Sequence, residues 1–185
     1  FLNTWGSIDL EMGWAKSRDP EYGGFVSKMY TVGNRISATA AMTDINLGIE
    51  PGTESTFAMG LAKLLAEKIN YSGPASSLLD EIDGASIIGS SGVDQALVSE
   101  LINELASGKL SVILPGGPDT SHNPTELAIA THVLNEVAGN IGKSVVFGNE
   151  LNVSEVSSAG DVLDLILNGN LTTLFVDRLD PVFAF

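Results

Sequence analysis

The chain has 185 residues, enough to bury one core, and its formal net charge of −14 comes from 23 acidic against 9 basic side chains. Nucleic acid and anionic membrane surfaces both require clustered Lys and Arg, so this balance excludes them as partners, and no apolar run approaches the roughly 20 residues of a direct membrane span. The absence of cysteine excludes disulfides, thiolate metal sites and a Cys nucleophile.

In chain order, the pattern predicts short β-rich runs alternating with helix-period segments, the signature of a parallel sheet with crossover helices. A strand at 26–32 is expected to feed a polar loop at 34–41. A short run at 45–49, a strand or an extended link, then leads into the turn Pro51-Gly52-Thr53-Glu54. That turn opens a helix with Phe57, Leu61, Leu64 and Leu65 on one face. Residues 71–92, rich in Ser, Gly and Asp, are expected to form a connector that carries Leu78, Leu79 and Ile82 and a strand at 85–88.

Val93, Leu97, Val98, Leu101, Ile102 and Leu105 mark a second helical stripe, and 110–114 reads as a central strand buried on both faces. The loop beginning Gly116-Gly117 runs to Asn123, an N-cap followed by Pro124 at the first helical position. A third stripe (Leu127, Ala130, Thr131, Leu134, Val137, Ala138) ends at Gly139. A strand at 144–147, a second variable stretch at 149–160, a fourth stripe (Val162, Leu163, Ile166, Leu167) and a buried strand at 171–176 complete the pattern. The expected fold class is α/β, a Rossmann-like three-layer αβα domain over 1–185 with a mainly parallel sheet. Ligands in such sheets bind outside the carboxyl ends of the strands, where the loops at 33–44, 115–123 and 177–181 gather.

Several chemistries lack their motifs. No Gly-Xaa-Ser-Xaa-Gly elbow occurs, since Gly89-Ser90-Ser91-Gly92 sets its serines out of register. Gly-Xaa-Gly-Xaa-Xaa-Gly is absent, and Gly142-Lys143 is not a P-loop. His122 and His132, ten residues apart with no cysteine nearby, do not form a metal site, and the spacing places His132 in the third helix as a packing residue. Arg35 could hold a phosphate or stack on a base; its structural alternative is a salt bridge to Asp44 or Glu54. Glu54 stabilises the positive end of a helix by about 0.3–1 kcal/mol, whatever else it does. Asn70, Asn152 and Asn170 head Asn-Xaa-Ser/Thr triplets, which such a Ser/Thr-rich chain produces by chance.

The block 29–67, a strand followed by Asn34-Arg35-Ile36-Ser37 and the Pro51-Gly52-Thr53-Glu54 turn, resembles the segment of molybdopterin oxidoreductases that lines the guanosine end of a molybdopterin guanine dinucleotide. Phe1-Leu2-Asn3-Thr4-Trp5-Gly6-Ser7 is similar to a further motif of that family, and Leu114-Pro115-Gly116-Gly117 through His122-Asn123 to its second glycine loop. Val137-Ala138-Gly139-Asn140-Ile141-Gly142 and Phe175-Val176-Asp177-Arg178-Leu179-Asp180-Pro181 resemble two more of its signatures, in the same order. The wording is closest to the extracytoplasmic iron–sulfur proteins of quinol-oxidising membrane complexes, the alternative complex III type among them.

The resemblance implies an internal piece of a longer periplasmic oxidoreductase, with its iron–sulfur clusters outside this segment. Its partners would be the rest of its own chain and the membrane and cytochrome or ferredoxin-like subunits of a respiratory complex. It further implies cofactor binding by Asn34, Arg35, Ser37, Thr39, Gly52, Thr53, Glu54, Gly116, Gly117, His122 and Asn123, with Glu54 accepting from the guanine amino group and ring N–H and His122 facing pterin or phosphate. No catalytic residue and no metal ligand falls in the segment. Gly33, Glu50 and Asp180 depart from the family's usual Pro, Arg and Asn. Some members of the branch keep the fold without the cofactor, and an acidic Glu50 beside a diphosphate would oppose binding, so a cofactor-free structural module is the alternative.

Overall fold

The computed structural model describes residues 8–23, 26–116, 123–148, 159–170 and 172–175. Helices α1 (Ile8–Ser17) and α2 (Pro20–Gly23) precede strand β1 (Tyr30–Gly33), the single turn α3 (Ala38–Ala41) and strand β2 (Ile45–Gly48). The two strands run parallel, with Tyr30 opposite Ile45 through Gly33 opposite Gly48. Five helices follow, α4 (Glu54–Ile69), α5 (Ser76–Asp80), α6 (Gly84–Ser90), α7 (Gln95–Ala106) and α8 (Pro124–Val137), and then α9 (Ala159–Leu167). The fold is therefore mixed helix and parallel sheet. It divides into two units, Phe1–Val146 and Phe147–Phe185.

Helix α4 is the centre of the first unit. Its stripe of Phe57, Leu61 and Leu65 is buried as the spacing predicts, and Ala62 and Leu65 are both 0 % exposed. The helix starts where Pro51-Gly52 turns the chain, and it stops at Asn70 in the left-handed region (φ 52°), with the Tyr71 N–H reaching back to the Ala66 carbonyl. Leu47 of β2 and Ile49 just past it, Leu79 of α5, Ile88 of α6, Val98, Leu101 and Ile102 of α7, and Leu134 and Val137 of α8 join the same core. Helices α4 and α8 lie side by side in one direction. Ala58 near the start of α4 packs on Leu127 and Ala130 near the start of α8, while Tyr71 just past the end of α4 donates to Glu136 in the last turn of α8 (3.3 Å).

Four expected strands are not formed as expected. Residues 85–88 are helical, because Asp83 accepts from the Ser86 N–H (3.0 Å) and caps α6, whose Ile88 enters the core against α4. So short an apolar run fits either period, and the cap decides it. Residues 110–114 alternate between exposed and half-buried but pair with no strand among the described residues; Leu110, Val112 and Leu114 face outward, Leu110 at 74 % exposure. At 144–147 only an isolated Ile141–Val145 bridge forms, since the Asn140 carbonyl accepts from the N–H groups of Lys143, Ser144 and Val145 and curls the chain. Thr172 to Phe175 are exposed, Phe175 at 92 %, and Leu171 and Val176 lie outside the described residues. The strand expected at 26–32 starts later, at Tyr30, because β2 offers only four residues to pair with. Helix α9 forms, but Leu163, Ile166 and Leu167 of its stripe are exposed. The connector at 71–92 contains α5 and α6.

Two glycines set the α4–α6 approach. A Cβ on Gly60 would lie 2.8 Å from Ile87 Cγ2, and one on Gly84 would lie 2.9 Å from the Gly60 carbonyl oxygen. Backbone cannot rotate away as a side-chain end can, so Gly84→Ala has to separate the helices. It is expected to destabilise the protein by about 1–3 kcal/mol, read as a lower urea midpoint with an unchanged slope.

Candidate functional site

The carboxyl ends of β1 and β2 meet the start of α4. From Glu50 to Thr53 the chain makes a tight turn closed by the Thr53 N–H on the Glu50 carbonyl (3.2 Å). Pro51 suits its second position, and Gly52 at φ +85° supplies the left-handed third position that a type II turn requires. The Thr53 hydroxyl donates to the same carbonyl (2.7 Å), so it does not cap α4, whose first turn carries no side-chain cap. Helices α3, α6, α7 and α8 are capped by Ser37, Asp83, Asp94 and Asn123.

Glu54, first in α4, is 8 % exposed. Asn34, just past β1, donates its Nδ2 to Glu54 Oε1 (3.1 Å), while Oε2 is buried and has no hydrogen-bond partner. A buried acceptor left unpaired costs about 1–3 kcal/mol, so Oε2 is a place where a donor would be stabilising. Arg35 forms neither of the expected salt bridges. Glu54 is held by Asn34, and Asp44 is taken by Arg18, whose guanidinium makes a bidentate contact at 2.7 and 2.8 Å. Arg35 is exposed and enters no ion pair among the described residues.

Of the remaining expected residues, Ser37 accepts from the Ala40 N–H (3.1 Å) as the cap of α3, and Thr39 is buried on that turn. Asn123 caps α8 through the Glu126 N–H (3.2 Å), with Pro124 at the first helical position as read from the sequence. Because α8 runs beside α4 in the same direction, Asn123 sits at the end of the helix pair that also holds Glu54. Gly116 is exposed, and Gly117 and His122 lie outside the described residues. His132 is exposed on α8 rather than packed, one step off the buried Thr131.

One polar cluster was not anticipated from the sequence. Asn135, 4 % exposed, uses both ends of its amide: Oδ1 accepts from the Ile113 N–H (3.1 Å) and Asn140 Nδ2 (2.9 Å), and Nδ2 donates to the carbonyls of Ile113 (2.7 Å) and Thr131 (3.0 Å). The Ser111 hydroxyl donates to Asn140 Oδ1 (2.9 Å), and the Ser144 hydroxyl donates to the Ser111 carbonyl. A side-chain amide thus takes the place of a neighbouring strand, and it holds the segment that delivers Gly116. The available signal was an Asn four residues after Thr131 on an otherwise apolar stripe.

At the opposite end of α4, polar side chains such as Lys63, Glu67 and Asp80 together with Ala66 and Leu79 line a cleft of about 290 Å³. The Lys63 ammonium stands 3.4 Å from Glu67 and 3.9 Å from Asp80. No group of three or more His, Cys, Asp or Glu that could hold a metal ion occurs among the described residues, and none of their helices is long and apolar enough to cross a membrane. Comparison of the chain with family models, curated proteins and solved structures finds no match.

At the amino ends of β1 and β2, opposite Glu54, Asp44 carries a strongly perturbed carboxyl. The Arg18 guanidinium and then the Met29 N–H (2.7 Å) hold its pKa down at about 2, from an ordinary 3.8. A depressed folded-state value stabilises above the unfolded one, so this contribution is complete above about pH 4 and is lost as pH falls toward 2. Asp44→Asn should therefore flatten the acid limb of the stability–pH profile across that interval, measured by urea unfolding. In a separate measurement, Asn135→Ala leaves the Ile113 N–H and carbonyl unpaired. A loss of about 1–3 kcal/mol is expected, with faster hydrogen exchange at the Ile113 amide.

Proposed function

We propose that the chain is a Rossmann-like αβα domain of a molybdopterin-oxidoreductase-family protein. Its parent would serve respiratory electron transfer on the extracytoplasmic face of a membrane, and the β1–α4 end would seat the guanine dinucleotide tail of the cofactor. The parallel β1–β2 pair and the co-directional α4 and α8 support the architecture.

The observation that carries the functional reading is the buried, unpartnered Glu54 Oε2 beside an oxygen already held by Asn34. A carboxylate is the natural acceptor for the two adjacent N–H donors on one edge of guanine. The residues present fit the rest of the group as well. The uncapped first turn of α4 offers N–H groups to a phosphate, and the free Arg35 offers a guanidinium. The cofactor would supply the redox chemistry at its metal, which lies outside this segment. This chain's residues would bind and orient its distal end.

Glu50 favours the second reading, a cofactor-free structural module of a quinol-oxidising complex. Its exposed carboxylate stands at the first position of the turn and forms no ion pair among the described residues. A diphosphate within about 4–6 Å of it would be repelled.

Calorimetric titration with guanosine diphosphate, using adenosine diphosphate as control, separates the two. The expected result is guanine-selective binding that Glu50→Gln strengthens by about three- to tenfold, and that Glu54→Gln weakens by about tenfold with loss of selectivity. No guanine-selective binding by either the wild-type chain or Glu50→Gln would favour the cofactor-free module.

A further inference from the structure

We infer that Asn34 is a positioning residue for Glu54 rather than a ligand contact, and that it sets the selectivity of the site for a base with two adjacent donors. This rests on the guanine-binding reading of Glu54. Only the NH2 end of an amide can face a carboxylate oxygen, so the 3.1 Å contact from Asn34 Nδ2 fixes Glu54 Oε1 from the β1 side. Glu54 is otherwise a flexible three-torsion side chain. With Oε1 tethered, rotation of the carboxylate plane is restricted, and Oε2 is kept in its buried, unpartnered position.

Oε1 retains a second lone pair, so the tethered carboxylate presents two acceptors at fixed spacing and orientation. A base with a ring N–H and an exocyclic amine side by side satisfies both. A base with the ring N–H alone satisfies one, and it gains nothing from the fixed plane. Asn34 therefore acts on the difference between the two ligands, through pre-organisation of an acceptor pair. Asn34 is itself exposed, so its replacement leaves the core untouched.

The test is titration of the wild-type chain, Asn34→Ala and Asn34→Gln with guanosine diphosphate and with inosine diphosphate, which lacks the exocyclic amine. Asn34→Ala is expected to weaken the guanine ligand by about five- to tenfold and the inosine ligand by less than about threefold, so that their ratio collapses. Asn34→Gln, which keeps the amide on a longer arm, should recover part of that ratio. Equal weakening of both ligands would assign Asn34 a merely structural role and overturn the inference, as would an unchanged ratio. Absence of guanine binding by the wild-type chain would instead overturn the underlying reading, and the inference with it.

Discussion

Burial of α4 is the constraint on which the first unit depends. A helix can be covered on so much of its surface only if small residues let its neighbours approach, and Ala58, Gly60, Ala62 and Ala66 do this around the larger Phe57, Leu61 and Leu65. Gly60 admits α6, Ala58 admits α8, and the apolar stripe meets β2 and α7. The same helix begins with Glu54. Packing along its length thereby decides where the orphaned Glu54 oxygen lies relative to Asn34, and it links core and site.

The helices were legible because their signal is local. Periodic apolar residues, the Asn123 cap with Pro124 behind it and a terminating Gly139 fall within a few turns of one another, and α4, α7 and α8 formed where the spacing placed them. Strands carry no such self-sufficient signal, since each needs hydrogen-bond partners from elsewhere in the chain. The run at 110–114 forms no strand, and its inward backbone groups go to Asn135 and Ser144 side chains. Apolar alternation cannot distinguish a strand neighbour from an amide that imitates one. At 85–88 the same ambiguity resolved the other way, because Asp83 was available to start a helix.

The site was legible in its residue types and turn chemistry, less so in its pairings. Pro51-Gly52 specified the turn, and a left-handed Gly52 delivers Glu54 to a helix start. What no single sequence could show was who pairs with whom. Arg18, twenty-six positions away, takes Asp44 and so leaves Arg35 without the partner that spacing suggested. Asn34 faces Glu54 for a similarly non-local reason, since β1 and β2 must first pair before the loop after one reaches the helix after the other.

The co-directional packing of α4 and α8 has an electrostatic consequence. Each helix carries about half a positive elementary charge at its N-terminus, and two such ends lie together on a chain whose net charge is −14. An anion approaching from solution thus meets a repulsive far field and, close to the helix ends, an attraction that the carboxylates of Glu50, Glu54 and Glu126 reduce. Ionic strength screens the first over a length of about 8 Å at physiological salt, whereas the second, acting at shorter range, is screened less. Added salt should then speed the association of an anion with this end of the molecule, the reverse of ordinary electrostatic steering toward a cationic surface.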